Sequence, residues 1–108
     1  MAITTTKPIY MIALLSREDF DEFERMTAGL TPLEEFAVAD ELIEAGFTVQ
    51  QNIELSGADG RKWFCTAYIR GHQRVVMAHS TESPGSDILS GEVMVFATAD
   101  WDGLTAHW

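Results

Sequence analysis

The sequence predicts one α+β domain in which a helical hairpin packs on one face of a mostly antiparallel sheet, in the order β-α-α-β-β-β-β. Two patterns carry this expectation. Residues 16–46 hold two helix start signals, two glycine stops and an apolar recurrence close to the helical period. Residues 48–99 alternate apolar and polar side chains with period two, interrupted by glycine-bearing turns. Helices that bury one stripe and a sheet that buries one face satisfy each other when stacked.

Taken in order, residues 1–7 (MAITTTK) read as a polar N-terminal tail. Pro8 then opens a continuous apolar run over residues 9–15, which reads as a buried strand. Ser16-Arg17-Glu18-Asp19 has the form of a capping box whose acids suit a helix N-terminus. On the helix that follows, Phe20, Phe23, Met26, Thr27 and Leu30 share one face, and Glu18, Asp21, Glu22, Glu24 and Arg25 the other. Gly29 supplies the stop. Thr31-Pro32-Leu33-Glu34 reads as a second start, with Thr as N-cap and Pro at the first helical position. This second helix is expected to run to Ala45, closed by Gly46-Phe47, with Phe36, Val38, Ala39, Leu42 and Ile43 in its apolar arc.

The β half follows. Residues 48–55 place Val49, Ile53 and Leu55 on one face, and residues 56–60 form a turn cluster. In the next strand, from Lys62 to Arg70, Trp63, Cys65, Ala67 and Ile69 share one face; Phe64, Thr66 and Tyr68 share the other. Gly71-His72-Gln73 turns the chain back into residues 74–79. Residues 80–90 read as a surface loop around Ser83-Pro84-Gly85-Ser86, residues 92–99 as a last strand, and residues 100–108 as an irregular tail.

At 108 residues the chain is about one ordinary domain, and its 46% apolar content provides a real core. The single cysteine excludes an internal disulfide, and the longest apolar run is too short to span a bilayer. No signal peptide is read before the acidic segment, so the expected compartment is the cytoplasm, including that of a host cell. The net charge is −10, and residues 17–44 hold ten acids against Arg17 and Arg25. Such a balance argues against direct contact with a nucleic-acid backbone or an anionic membrane, both of which call for a basic face.

Concentrated acid on an amphipathic hairpin points to docking on a basic protein surface. Carboxylates along a rigid helix can imitate a run of phosphates and occupy the lysines and arginines of a nucleic-acid-handling complex, with the charge complementarity speeding encounter. The expected contact set is Glu18, Asp21, Glu22, Glu34, Asp40, Glu41 and Glu44, with Trp101 in Asp100-Trp101-Asp102 as an aromatic anchor. A bland alternative stands beside it, that the acids form a solvated helix face and Trp101 and Trp108 cap the core. Arg61, Lys62, Arg70 and Arg74 gather at the meander, where they either blunt sheet edges or, with Phe64 and Tyr68, offer a second contact patch.

Catalytic and metal signals are weak. Cys65, His72 and His79 are spaced by seven, without the paired ligands of a zinc site, and no nucleophile elbow or phosphate loop is present. His79-Ser80 is the one place where a catalytic pair is conceivable. No cofactor or metal is expected. In size, acidity and lack of catalytic motifs the chain is similar to small phage- or plasmid-encoded inhibitors of host defence, of the anti-CRISPR and anti-restriction kind. That resemblance implies a non-enzymatic inhibitor acting by steric and electrostatic blockade. The alternatives are a toxin-immunity or regulatory binding protein, and a small enzyme or ligand-binding domain with a pocket between helices and sheet near His79.

Overall fold

A computed structural model describes residues 15–33 and 39–98. The expected strand over residues 9–15 therefore lies outside the described residues except for Leu15, as do the 1–7 tail, Glu34, Phe36, Val38 and the 100–108 tail with Trp101 and Trp108. The described elements are α1 (Arg17–Met26), β1 (Thr31–Leu33), α2 (Ala39–Glu44), β2 (Thr48–Ser56), β3 (Lys62–Arg70), β4 (Gln73–Ser80) and β5 (Val93–Ala97). The five strands form one sheet in the order β1-β5-β4-β3-β2, antiparallel throughout. The α+β class is as expected.

Two expectations are corrected here. Thr31-Pro32-Leu33 does not start a helix; it pairs with β5, Pro32 lying opposite Phe96. Proline lacks the N–H that an interior strand needs, and a three-residue edge strand tolerates the loss. The helical segment that follows covers only Ala39–Glu44 among the described residues.

The second correction concerns the hairpin. The helices pack on opposite faces of the sheet. Strand registry fixes the two faces: Cys65 pairs with Ala78 and Ala78 with Met94, whereas Tyr68 pairs with Val75 and Val75 with Ala97. The first face, with Trp63, Cys65, Ala67, Val76, Ala78, Met94 and Phe96, is covered by Phe23, Met26 and Leu30 from α1 and its following turn. The second face, with Tyr68, Val75, Val95 and Ala97, is covered by Leu42 of α2 and by Phe47. The edge strand β1 lies between the two helices in the chain. The sheet demands cover on both sides because β4 and β5 bury consecutive residues, Val75 with Val76 and Met94 through Ala97.

Local signals fared better than the packing. Ser16 caps α1, its hydroxyl accepting from the Asp19 N–H at 3.4 Å, and Phe23, Met26, Thr27 and Leu30 are buried as the helical wheel requires. Gly46 takes φ +99°, the left-handed cap that a side chain disfavours. In β2 a bulge between Val49 and Gln51 shifts the register. It places Val49 opposite Tyr68 on the second face, away from Ile53 and Leu55, and leaves Val49 exposed. Ile43, expected inside, is 50% exposed, and Ala39 is exposed too. No described helix is long and apolar enough to cross a membrane.

Candidate partner-binding surface

α1 is tied to the sheet at both ends. At its start the Ser16 N–H donates to the Ser56 carbonyl at 2.9 Å, and the Asp19 carboxylate accepts from the Ser56 N–H at 2.6 Å. At its end the Arg74 guanidinium donates to the Met26 carbonyl, satisfying one of the orphan acceptors of the last turn. Between these ties Glu18, Asp21 and Glu24 point to solvent, and Glu22 pairs with Arg25 one turn on. Successive carboxylates three residues apart rise by about 4.5 Å along the axis.

α2 carries the remaining described acids of the expected set. Asp40 and Glu44 are exposed. Glu41 is half-buried, with Oε1 shielded and without a hydrogen-bond partner among the described residues. Asp40 lies close enough to Tyr68 to add to the upward shift of the phenol, whose main cause is burial. Because α1 and α2 cover opposite faces, the six described carboxylates do not form one outward array. Glu18, Asp21 and Glu22 belong to one side and Asp40, Glu41 and Glu44 to the other; Glu34 and Trp101 lie outside the described residues. The sheet therefore stands between the two sets.

The cations of the meander are turned to internal use. β3 and β4 are interior strands, so Arg70 and Arg74 have no sheet edge to blunt. Each instead closes a helix, one on each face. Arg70 donates to the Ala45 carbonyl just past α2, and its guanidinium carbon stands 4.5 Å from the Phe47 ring centroid. Arg74 does the same for α1. Arg61 bridges Asp59 at 2.7 Å and Glu92 at 3.2 Å while lying over Trp63, and Lys62 faces Asp87 at 3.8 Å. The Arg61 backbone N–H, and then its side chain, hold the Asp59 carboxyl below its ordinary range. A continuous basic platform with Phe64 and Tyr68 is not formed.

The catalytic and ligand candidates are also separated. Cys65 is fully buried on the first face, whereas His79 pairs with Phe64 and Val93 on the second. Burial, assisted by the charge of Asp19, pushes the Cys65 thiol up to about 12. The Ser80 hydroxyl is buried and committed: it donates to the Thr81 carbonyl at 3.1 Å and accepts from the Glu92 N–H at 2.9 Å and from Arg61. His79 and Ser80 thus face opposite sides of the sheet. No cluster of three metal-binding side chains occurs among the described residues. A cleft of about 550 Å³ opens at the α1 N-terminus between Leu15, Arg17, Phe20, Asp21 and Ala58, and His79 is not among its lining residues.

Comparison with protein-family models, curated proteins and solved structures finds no match to this chain. One feature of the surface went unmarked in the sequence. Ile88 and Leu89 are 60% and 44% exposed in the loop between β4 and β5. An aliphatic pair without periodicity, set among Ser, Gly and Asp, was the only trace of it.

Proposed function

We propose that the protein is a small acidic inhibitor that docks through the outward side of α1 on a basic surface of a nucleic-acid-handling complex. In this reading it acts in the cytoplasm of a cell or host, by blockade, without a cofactor, as a phage or plasmid counter-defence protein would. The observation that carries the proposal is the division of labour among charges. Of the described cations, Arg25, Arg61, Lys62, Arg70 and Arg74 are engaged within the chain and Arg17 is exposed, while Glu18, Asp21 and Glu24 stand exposed and without an ion pair among the described residues. The helix bearing them is held at both ends, so little ordering entropy is lost when a partner arrives.

The opposite-face geometry narrows the contact set. A single flat partner surface engages the α1 carboxylates or those of α2, not both. α1 is the better docking element, with ten described residues and ties to the sheet at both ends, whereas α2 shows six among the described residues.

The test uses two purified probes, a CRISPR effector complex and a restriction enzyme complex, each freed of nucleic acid. Changing Glu18, Asp21 and Glu24 to Lys is expected to weaken binding by roughly a hundredfold at low salt, as close charge pairs across interfaces warrant. The same variant should flatten the salt dependence, and changing Asp40 and Glu44 to Lys should leave affinity within about twofold. If the parent protein binds neither probe, or the α1 reversal leaves affinity unchanged, the proposal fails.

A further inference from the structure

β4 and β5 are antiparallel neighbours, and such strands are ordinarily joined by about two to five residues. Here residues 81–92 intervene. Structureless connections of that length are commonly functional loops, because every ordered residue costs conformational entropy. This one is firmly built. The Lys62 N–H donates to Thr81 Oγ1 at 3.2 Å, and the Glu82 N–H donates to the Ile88 carbonyl at 2.8 Å. The loop is closed at its base by the Gly91 N–H, which donates to the Ser80 carbonyl at 3.1 Å. Gly91 packs so tightly there that an added Cβ would fall under 3.0 Å from Ser80 Oγ and the Thr81 carbonyl oxygen.

What this scaffold presents is Ile88 and Leu89, both turned to water. Exposed aliphatic residues are common singly and need no explanation. Two in succession on a hydrogen-bonded loop are different, because ordered backbone holds them exposed. Acids flank them: Glu82 and Asp87 are exposed in the same loop, and among the described residues only Lys62 pairs with either, with Asp87 at 3.8 Å. The loop also adjoins the end of the sheet where α1 begins. Gly60 lies against Pro84, and Ala58 of the same turn lines the cleft with Arg17 and Asp21.

We infer that the 81–92 loop is the apolar anchor of the partner interface, Ile88 and Leu89 entering an apolar pocket ringed by basic groups on a protein partner. This deepens the proposal above and rests on it: α1 supplies steering charge, and the loop supplies the desolvated contact that slows dissociation. Charges at the rim of an interface govern mainly encounter, whereas residues packed and desolvated at its centre supply most of the affinity.

The experiment measures affinity and its salt dependence with the same two purified complexes as probes. Changing Ile88 and Leu89 together to Ser is expected to weaken binding roughly tenfold or more. The slope of affinity against salt should be unchanged, and so should the melting temperature, because both side chains are exposed. A photo-crosslinking amino acid at position 88 should link to the probe, and one at position 44 should not. If the Ser variant binds within about twofold of the parent while the α1 reversal weakens binding, the anchor is overturned and the electrostatic proposal stands. If the Ser variant loses binding while the α1 reversal does not, the anchor stands and the role of α1 falls. Binding to neither probe overturns both.

Discussion

Replacing Phe23 with Ala is expected to cost about 3–5 kcal/mol of folding stability, a large share of the roughly 5–15 kcal/mol that a domain of this size commands. Phe23 is fully buried and meets Phe96 edge to face, with ring centroids 5.3 Å apart at 73°. The truncation forfeits the transfer free energy of the ring, the aromatic contact and the packing around the resulting cavity. It also loosens α1, because a ten-residue helix is too short to persist without its packed face. Urea unfolding should show a lower midpoint with an unchanged slope. Changing Glu24 to Ala on the outward side of the same helix should shift stability by no more than about 0.5 kcal/mol. A Phe23 variant that loses less than about 1 kcal/mol would show that α1 is not held on the first face as described.

The second large effect is alkaline. The Cys65 thiol ionises near its ordinary value of 9.0 in the unfolded chain and at about 12 in the folded one. Between those values the unfolded state releases a proton that the folded state keeps, so stability falls as pH rises. The slope is about 1.4 kcal/mol per pH unit, summing to about 4 kcal/mol at the upper end. Below pH 9.0 both states hold the proton and the contribution is constant. Changing Cys65 to Ala should therefore flatten the curve above pH 9.0 and leave its shape below that pH unaltered. The raised Tyr68 phenol acts in the same sense and remains in both proteins, so the difference between the two curves isolates the thiol. Parallel curves through the alkaline range would mean that Cys65 reaches water.

The contrast between what the residues disclosed and what they concealed has a physical cause. The Ser16 cap, the Phe23–Met26–Leu30 stripe and the two faces of β3 depend on neighbours within a few positions, and the sequence predicts them correctly. The side of the sheet that a helix covers depends on strand order, which sequence spacing does not encode. Thr31-Pro32-Leu33 shows the difficulty, since proline without its N–H suits the first turn of a helix and an edge strand equally. A usable signal lay further along. Val75-Val76 and Val93 through Ala97 are continuous apolar runs rather than alternating ones, the mark of a sheet covered on both faces. That pattern argues against a hairpin confined to one side. The partner-facing residues divide in the same way. The acids of α1 were readable from the helical period, whereas the internal duties of Arg70 and Arg74 appear only once the helix ends are known to sit beside them. Ile88 and Leu89 follow no period at all.

The division of negative charge between two faces is open to a direct distance measurement. Spin labels attached through Glu24→Cys and Glu44→Cys, in a Cys65→Ala background, report the separation of the outward sides of α1 and α2 by pulsed electron paramagnetic resonance. Helices on opposite faces of a sheet predict a distribution centred beyond about 20 Å, two packing layers of about 10 Å apart. Labels at about the 8–10 Å spacing of adjacent helices, seen as dipolar broadening of the continuous-wave spectrum, would return both acidic sets to one side and contradict the architecture on which the functional proposal stands.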